Sequence, residues 1–389
     1  MPVTPPFTTQ PYIVNNPINE RRSILSEADR FHVQAAQKRL QRLRALEKEL
    51  PPVCTDFFRS IAQTTSPLTR LAYAYDFRLF FQYLIRENPL FADADPRLMS
   101  DEQLKSIKMR DIDGFQEYLM QYYCLDEETG QEKIVQNHEL GIMRKLCSLR
   151  SLFEYLFKYG HIDANIATLV SLPKLHDKPI LRLEPDEMQK MLDTVASGQG
   201  LTKAQQRYLP FTRARDTAML LLFLGTGIRV SECVGLDIDD LDFELNAFLV
   251  TRKGGDQSIL YFPDQVAQAL QAYLKEREAV QPLEGHENAL FLSLQKRRMT
   301  QRAVENMVKK YALVAAPLKR RISPHKLRST FGTNLYQETG DIYLVADVLG
   351  HADVNTTRRH YAAMSDANKR KASRLVPLPE TNLENSENE

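Results

Sequence analysis

Apolar residues recur at every third or fourth position along almost the whole chain, and one short stretch breaks that rhythm toward a sheet. It is "AFLVTRKGGDQSILYFP", residues 247–263, where two short β-runs flank Lys253-Gly254-Gly255-Asp256, the chemistry of a tight hairpin turn. This distribution predicts a mainly α protein with a small antiparallel sheet. At 389 residues the chain is too long for one ordinary domain and suits two with an extension.

Residues 1–52 read as an N-terminal extension. Proline, threonine and asparagine crowd residues 1–20, which predicts poor order. A basic helix follows from Ser26 to Leu50, with Leu40, Leu43, Leu46 and Leu50 at helical spacing, and Pro51-Pro52 stops it. Residues 53–172 predict a small helical bundle. There "TSPLTRLAYAYDFRLFFQYLIREN" sets Leu71, Tyr75, Leu79 and Tyr83 on one stripe, two later segments repeat the rhythm, and no strand is expected. Residues 173–184 form a linker marked by Pro173 and Pro179, and Pro185 opens a fresh helix. The unit from 185 to 378 differs in kind, since it carries the hairpin. Its segment "ARDTAMLLLFLGTGIRVSECVGL" predicts a buried helix broken at Gly225 and Gly227, with another starting near Val230. Residues 379–389 form an acidic tail that is expected to be disordered.

Several function classes fall away. The longest purely apolar run, Ala218 to Leu224, is far short of a membrane span. The N-terminus has neither the basic start nor the apolar core of a signal peptide. Cys54, Cys124, Cys147 and Cys233 are scattered without a CxxC pair, which predicts reduced, mostly buried thiols in a cytoplasmic protein and no zinc site. The net charge of +1 conceals segregation: from Lys296 to Arg328 there are eleven Lys or Arg and one acid, Glu305. Such a segment is a candidate phosphate-facing surface. Lys296, Arg297, Arg298, Arg320, Arg321 and Lys326 are its candidate DNA contacts, joined by Arg70 in the bundle.

Within the last unit, Arg229 and Glu232 sit three apart in "GTGIRVSE" and share a helix face. A guanidinium lodged after a glycine break needs an acid to hold it, and its remaining donors can then face an anion two at a time. "HKLR" repeats the geometry with His325 and Arg328, on a helix that Pro324 opens and Ser323 caps. His351 closes "LGH" and Tyr361 closes "NTTRRHY". Each fragment is weak alone.

Their order is specific. Arg229, Lys253, His325, Arg328, His351 and Tyr361, in the wordings "TGIRVSE", "TRKGG", "HKLRSTFGT", "VLGH" and "NTTRRHY", resemble the tyrosine recombinase (phage integrase) family, most closely its Xer-type site-specific recombinases. Two departures stand out. Ser329 occupies a place where relatives commonly have a second histidine, and Tyr361 follows His351 by ten residues, one more than expected.

The resemblance implies a SAM-like helical core-binding bundle and a mostly α catalytic domain that clamp double-stranded DNA. It makes Tyr361 the nucleophile of a 3′-phosphotyrosyl link, with Arg229 and Arg328 bracketing the non-bridging oxygens. Lys253 becomes the general acid for the 5′ oxygen, His325 the acid/base partner of the tyrosine, and His351 a donor to phosphate. It implies no metal and no cofactor. It also implies a homo-oligomer on DNA, a tetramer in the synapse, with a helix over about 364–375 as the candidate for docking on a neighbour. Tyr336 and Tyr343 read as helix-core positions, and His360 as structural. The expected role is Xer-type chromosome-dimer resolution. Integration or excision of a mobile element is the alternative, followed by a type IB topoisomerase and a catalytically inactive DNA-binding regulator.

Overall fold

The structure is a computed structural model that describes residues 27–125, 130–174, 181–252, 256–350 and 354. Lys253, His351, His360, Tyr361, the 364–375 segment and the acidic tail therefore lie outside the described residues. The chain divides into two compact units, Phe31–Lys178 and the part from Pro179 onward.

The first unit runs α1 (Glu27–Glu47), α2 (Pro52–Ser60), α3 (Pro67–Glu87), α4 (Asp101–Ser106), α5 (Met109–Tyr118), β1 (Gln121–Leu125), β2 (Glu132–Gln136) and α6 (Glu139–Lys158). Local chemistry starts these helices. Ser66 accepts the Thr69 amide at 3.2 Å ahead of Pro67, and Ser100 and Gln103 form a reciprocal capping box. Phe57, Phe58, Phe77, Phe80, Phe81, Phe115 and Phe153 build the core. Leu43, Leu46 and Leu50 are buried in that same core, so α1 is a helix of the bundle and not of a separate extension.

Two sequence expectations for this unit fail. The buried face of α3 is Ala74, Asp76, Phe77, Phe80, Phe81, Tyr83 and Leu84, so of the expected stripe Tyr83 is buried, whereas Tyr75 is 36 % exposed and Leu71 and Leu79 are half-buried. Apolar and aromatic residues occur on more than one side of this helix, so periodicity leaves two stripes in competition, and the phenylalanines bury more area. Tyr75 instead carries the Arg42 and Arg78 guanidiniums over its ring, at 5.9 and 5.1 Å from the centroid. The second failure is the antiparallel hairpin β1–β2, in register Tyr122↔Val135 and Tyr123↔Ile134, where no strand was expected. Tyr122 and Val135 pack on the bundle while Tyr123 and Ile134 face solvent, too short an alternation to register in the sequence.

The second unit comprises α7 (Pro185–Ser197), α8 (Lys203–Tyr208), α9 (Arg213–Thr226), α10 (Val230–Gly235), β3 (Leu241–Asp242), β4 (Ala247–Thr251), β5 (Gln257–Tyr261), α11 (Asp264–Glu278), α12 (Gln301–Ala315), α13 (Pro324–Thr339) and α14 (Ile342–Leu349). The strands form one antiparallel sheet in the order β3-β4-β5. The expected hairpin is present, with Thr251 paired to Gln257 and the Arg252 amide donating to the Asp256 carbonyl at 2.7 Å. Helix α9, buried through Ala218, Met219, Leu220, Leu222 and Phe223, is the central element, packed by α7, α11 and α13.

Buried ions brace this unit. Asp216, fully buried, accepts from Arg215 at 2.7 Å, Lys310 at 3.1 Å and the Tyr311 hydroxyl at 2.8 Å. Burial and the adjoining carboxylate push the Tyr311 hydroxyl well above its ordinary range, so it stays a donor. Arg298 pairs with Asp237 and donates to the Val234 and Leu236 carbonyls at 3.2 and 2.9 Å. Neutralised by the buried Asp237 and committed to two carbonyls in the interior, Arg298 is a brace of the unit, and this corrects its assignment as a DNA contact. No cysteine is disulfide-bonded; Cys54 and Cys233 are buried, but Cys147 is exposed. No helix among the described residues is long and apolar enough to cross a membrane.

Candidate active site

Helix α9 ends at Gly227, whose φ of +62° lies in the left-handed region. A Cβ there would also stand 2.5 Å from Phe331 Cδ1 and 2.9 Å from Leu349 Cδ2, so the break brings α13 and α14 against the turn. Two residues on, Arg229 sits at the N-cap of α10. Glu232 Oε2 accepts the Arg229 amide at 2.9 Å, and Oε1 accepts Arg229 Nη1 at 2.8 Å. One carboxylate thus satisfies an orphan donor of the helix start and anchors the guanidinium. Glu232 itself is 7 % exposed, and its pairing with Arg229 is as expected from the spacing.

Helix α13 opens at Pro324 with Ser323 at its N-cap position, although the Ser323 hydroxyl makes no capping hydrogen bond. His325 lies in its first turn and is exposed, while Arg328 is buried at 5 % exposure. The Arg328 guanidinium donates through Nη1 to the Gly227 carbonyl at 2.5 Å and through Nη2 to the Leu349 carbonyl.

These arginines meet at the C-terminal end of α14. Arg252 Nη2 reaches the Val348 carbonyl at 3.5 Å, Arg328 takes Leu349, and Arg229 Nη2 donates to the Gly350 carbonyl at 2.8 Å. Three consecutive carbonyls at a helix C-terminus, which carry orphan acceptors and the negative end of the helix dipole, therefore collect three guanidiniums. Gly350 caps this helix at φ +57°. Arg229 and Arg328 thereby bring positive charge from two separate stretches of chain to one place, suited to an oxyanion, and Arg252 braces the same helix end from the hairpin.

Of the predicted site residues, Arg229, Glu232 and Arg328 are brought together, and His325 lies one turn before Arg328. Lys253 and His351 are outside the described residues, but each comes directly after a residue of the cluster, Arg252 and Gly350. Tyr361 is outside them too. Cys233, inside α10, is no competing nucleophile: burial, then the Glu232 charge, push its thiol far up. Among the described residues no group of three or more His, Cys, Asp or Glu is placed to hold a metal ion.

The candidate DNA contacts divide. Lys296, Arg297, Arg320 and Arg321 are exposed and Lys326 is half-buried, whereas Lys310 and Lys319 of the basic segment are spent on Asp216 and Glu187. Arg70 lies in the first unit beside a cavity of about 310 Å³ that Arg44, Glu47 and Arg59 also line. Tyr336 packs with Val345 and Leu349 as expected, but Tyr343 is 71 % exposed, because the inner face of the short α14 is already filled by those two. Arg252 was not singled out from the sequence; its one signal was its place beside Lys253.

Residues 182–368 match the model of the phage integrase family. The chain is 31 % identical over 351 residues to the tyrosine recombinase XerC of Caldanaerobacter subterraneus subsp. tengcongensis, covering 88 % of this chain and 91 % of that protein. It is 29 % identical to the tyrosine recombinase XerS of a Streptococcus pneumoniae strain, covering 85 % and 97 %. Among solved structures, the XerH site-specific recombinase bound to palindromic difH substrate in a post-cleavage complex superposes with a TM-score of 0.58 at 21 % identity, over 83 % of both chains. The Tn1549 transposon integrase bound to transposon right end DNA gives 0.57 at 22 % identity, over 83 % and 99 %.

Proposed function

The chain belongs to the phage integrase family of tyrosine recombinases, and we propose that it cuts and rejoins double-stranded DNA at specific sites through a covalent tyrosyl intermediate. The observation that carries this reading is the convergence of Arg229 and Arg328 on the Leu349–Gly350 carbonyls, directly before His351.

In this reading Tyr361 Oη attacks the scissile phosphorus and gives up its proton with His325 as acid/base partner. A P–Oη bond forms and the P–O5′ bond breaks, and Lys253 protonates the departing 5′ oxygen. Arg229 has two of its five N–H donors on Glu232 and Gly350, so the others can meet a non-bridging oxygen. Arg328 serves the second oxygen, and His351 donates to phosphate. Charge stabilisation by an arginine in phosphoryl transfer is worth roughly 10³–10⁵ in rate. The tyrosyl ester retains the energy of the phosphodiester, so a second 5′-hydroxyl can reverse the step and complete an exchange.

The finer role is Xer-type chromosome-dimer resolution in the cytoplasm by a homo-oligomer, a tetramer in the synapse. Near full-length similarity to proteins named XerC and XerS supports it over integration or excision of a mobile element. The test begins with a randomised duplex pool, from which sites are selected by covalent capture on the wild-type protein. Two labelled duplexes bearing the selected site are then incubated together. Recombinant products of exchanged length are expected. Relaxation of supercoils without exchange would indicate a topoisomerase, and binding without any cleavage a regulator. Selected sequences that map to the chromosome's replication-terminus region support dimer resolution; sites at the ends of a mobile element favour the alternative.

A further inference from the structure

Arg252 holds the base of the β4–β5 hairpin. Its amide closes the turn onto Asp256 at 2.7 Å, and its guanidinium donates back across the ladder to Ser258 Oγ at 3.0 Å. The same Nη2 extends to the Val348 carbonyl at the end of α14, ninety-six positions along the chain. The contact with α14 is closer than any side chain at position 350 would allow. A Cβ built on Gly350 would fall 1.0 Å from Arg252 Nη1 and 2.1 Å from its Cζ. Gly350 therefore serves two purposes, the left-handed cap and the seat of this guanidinium.

The tie joins the immediate neighbours of two expected catalytic residues, since Lys253 is next after Arg252 and His351 is next after Gly350. Without this tie the hairpin base is held by its own ladder, and the residue that follows Arg252 loses this reference to the Gly350 turn. A proton donor misplaced by about 1 Å can forfeit roughly 10²-fold in rate.

We infer that Arg252 is a positioning residue for the strand-cleavage step, which locks the Lys253 hairpin to the Gly350 turn and thereby sets the general acid. This rests on the reading of Lys253 as that acid. Arg252 touches no reacting atom; it acts through Lys253.

The experiment uses the full-length protein and the selected duplex in two forms, one with the ordinary 5′ bridging oxygen and one with sulfur there. A thiolate leaves without a proton, so loss of a general acid is relieved by sulfur. Arg252→Ala is expected to bind the duplex as wild type does and to cleave the oxygen form roughly 10–100-fold more slowly. On the sulfur form its rate should return to near the wild-type value, as that of Lys253→Ala should. Arg252→Lys, which keeps charge but loses the fork, should show the same pattern more weakly, and it carries the test if the alanine variant does not fold. Wild-type cleavage by Arg252→Ala overturns the inference. So does a defect that persists on sulfur while Lys253→Ala is relieved, since the arginine would then act elsewhere. If Lys253→Ala itself gains nothing from sulfur, the assignment of the acid is what fails, and the inference falls with it.

Discussion

Arg229 Nη2 donates to the carbonyl oxygen of Gly350 at 2.8 Å, across 121 positions of sequence. This bond joins the glycine break after α9 to the cap of α14, and with Glu232 behind it the guanidinium is fixed at two points while the same carboxylate holds the Arg229 amide. The clustered positive charge of the site is thus a property of the packed unit, and its parts can be tested singly.

Glu232→Gln keeps the size of the side chain and an acceptor for the Arg229 amide but removes the charge that holds the guanidinium. DNA affinity should change little, while cleavage falls roughly 10–100-fold through misplacement of Arg229. Single-turnover cleavage and equilibrium binding separate the two. An unchanged cleavage rate would return Glu232 to the role of a helix cap alone.

Gly227→Ala and Gly340→Ala introduce a methyl at similar backbone angles, φ +62° and +68°, but only Gly227 is crowded, by Phe331 and Leu349. Gly340→Ala should cost about 1–2 kcal/mol for the left-handed conformation alone. Gly227→Ala should cost that and about 1–3 kcal/mol more for overpacking. Chemical denaturation measures both, and equal losses would mean that α13 and α14 do not close on the turn.

The basic segment should behave as two classes. Arg320→Ala with Arg321→Ala removes two exposed cations, and the slope of log K against log salt should become shallower by roughly 1–2 with no change in melting temperature. Arg298→Ala removes the charge that balances the buried Asp237 carboxylate, so it should lower the melting temperature sharply instead. A salt-slope change from Arg298→Ala in a protein of normal stability would put that arginine back on the DNA surface.

How much of the fold and site is legible in the sequence depends on how local each signal is. The β4–β5 hairpin was legible because Lys253-Gly254-Gly255-Asp256 is turn chemistry between apolar runs, and the Arg229–Glu232 pair because helical spacing alone brings the two together. The hairpin β1–β2 was not, since its core-facing positions are few, Tyr122, Cys124 and Val135. The buried face of α3 was only partly read because a helix with aromatic and aliphatic residues on more than one side does not declare which side packs. A count of charges in the basic segment could not separate Arg298, bound to Asp237 and two carbonyls, from Arg297 beside it in solvent. Arg252 stayed hidden because its partners, Ser258 and Val348, are chosen by tertiary packing.

The central claim, that this arginine cluster serves a covalent tyrosyl intermediate, is tested most directly by trapping it. A selected duplex nicked close to the cleavage point loses its short 5′-hydroxyl fragment by diffusion, so religation fails and protein stays attached to DNA on a denaturing gel. Wild-type protein should give this adduct, with phosphate on the peptide containing Tyr361 when the trapped protein is digested and sequenced by mass spectrometry. Tyr361→Phe should bind the same duplex with ordinary affinity and give none. An adduct formed by Tyr361→Phe, or a phosphopeptide that carries any other residue, would contradict the assignment.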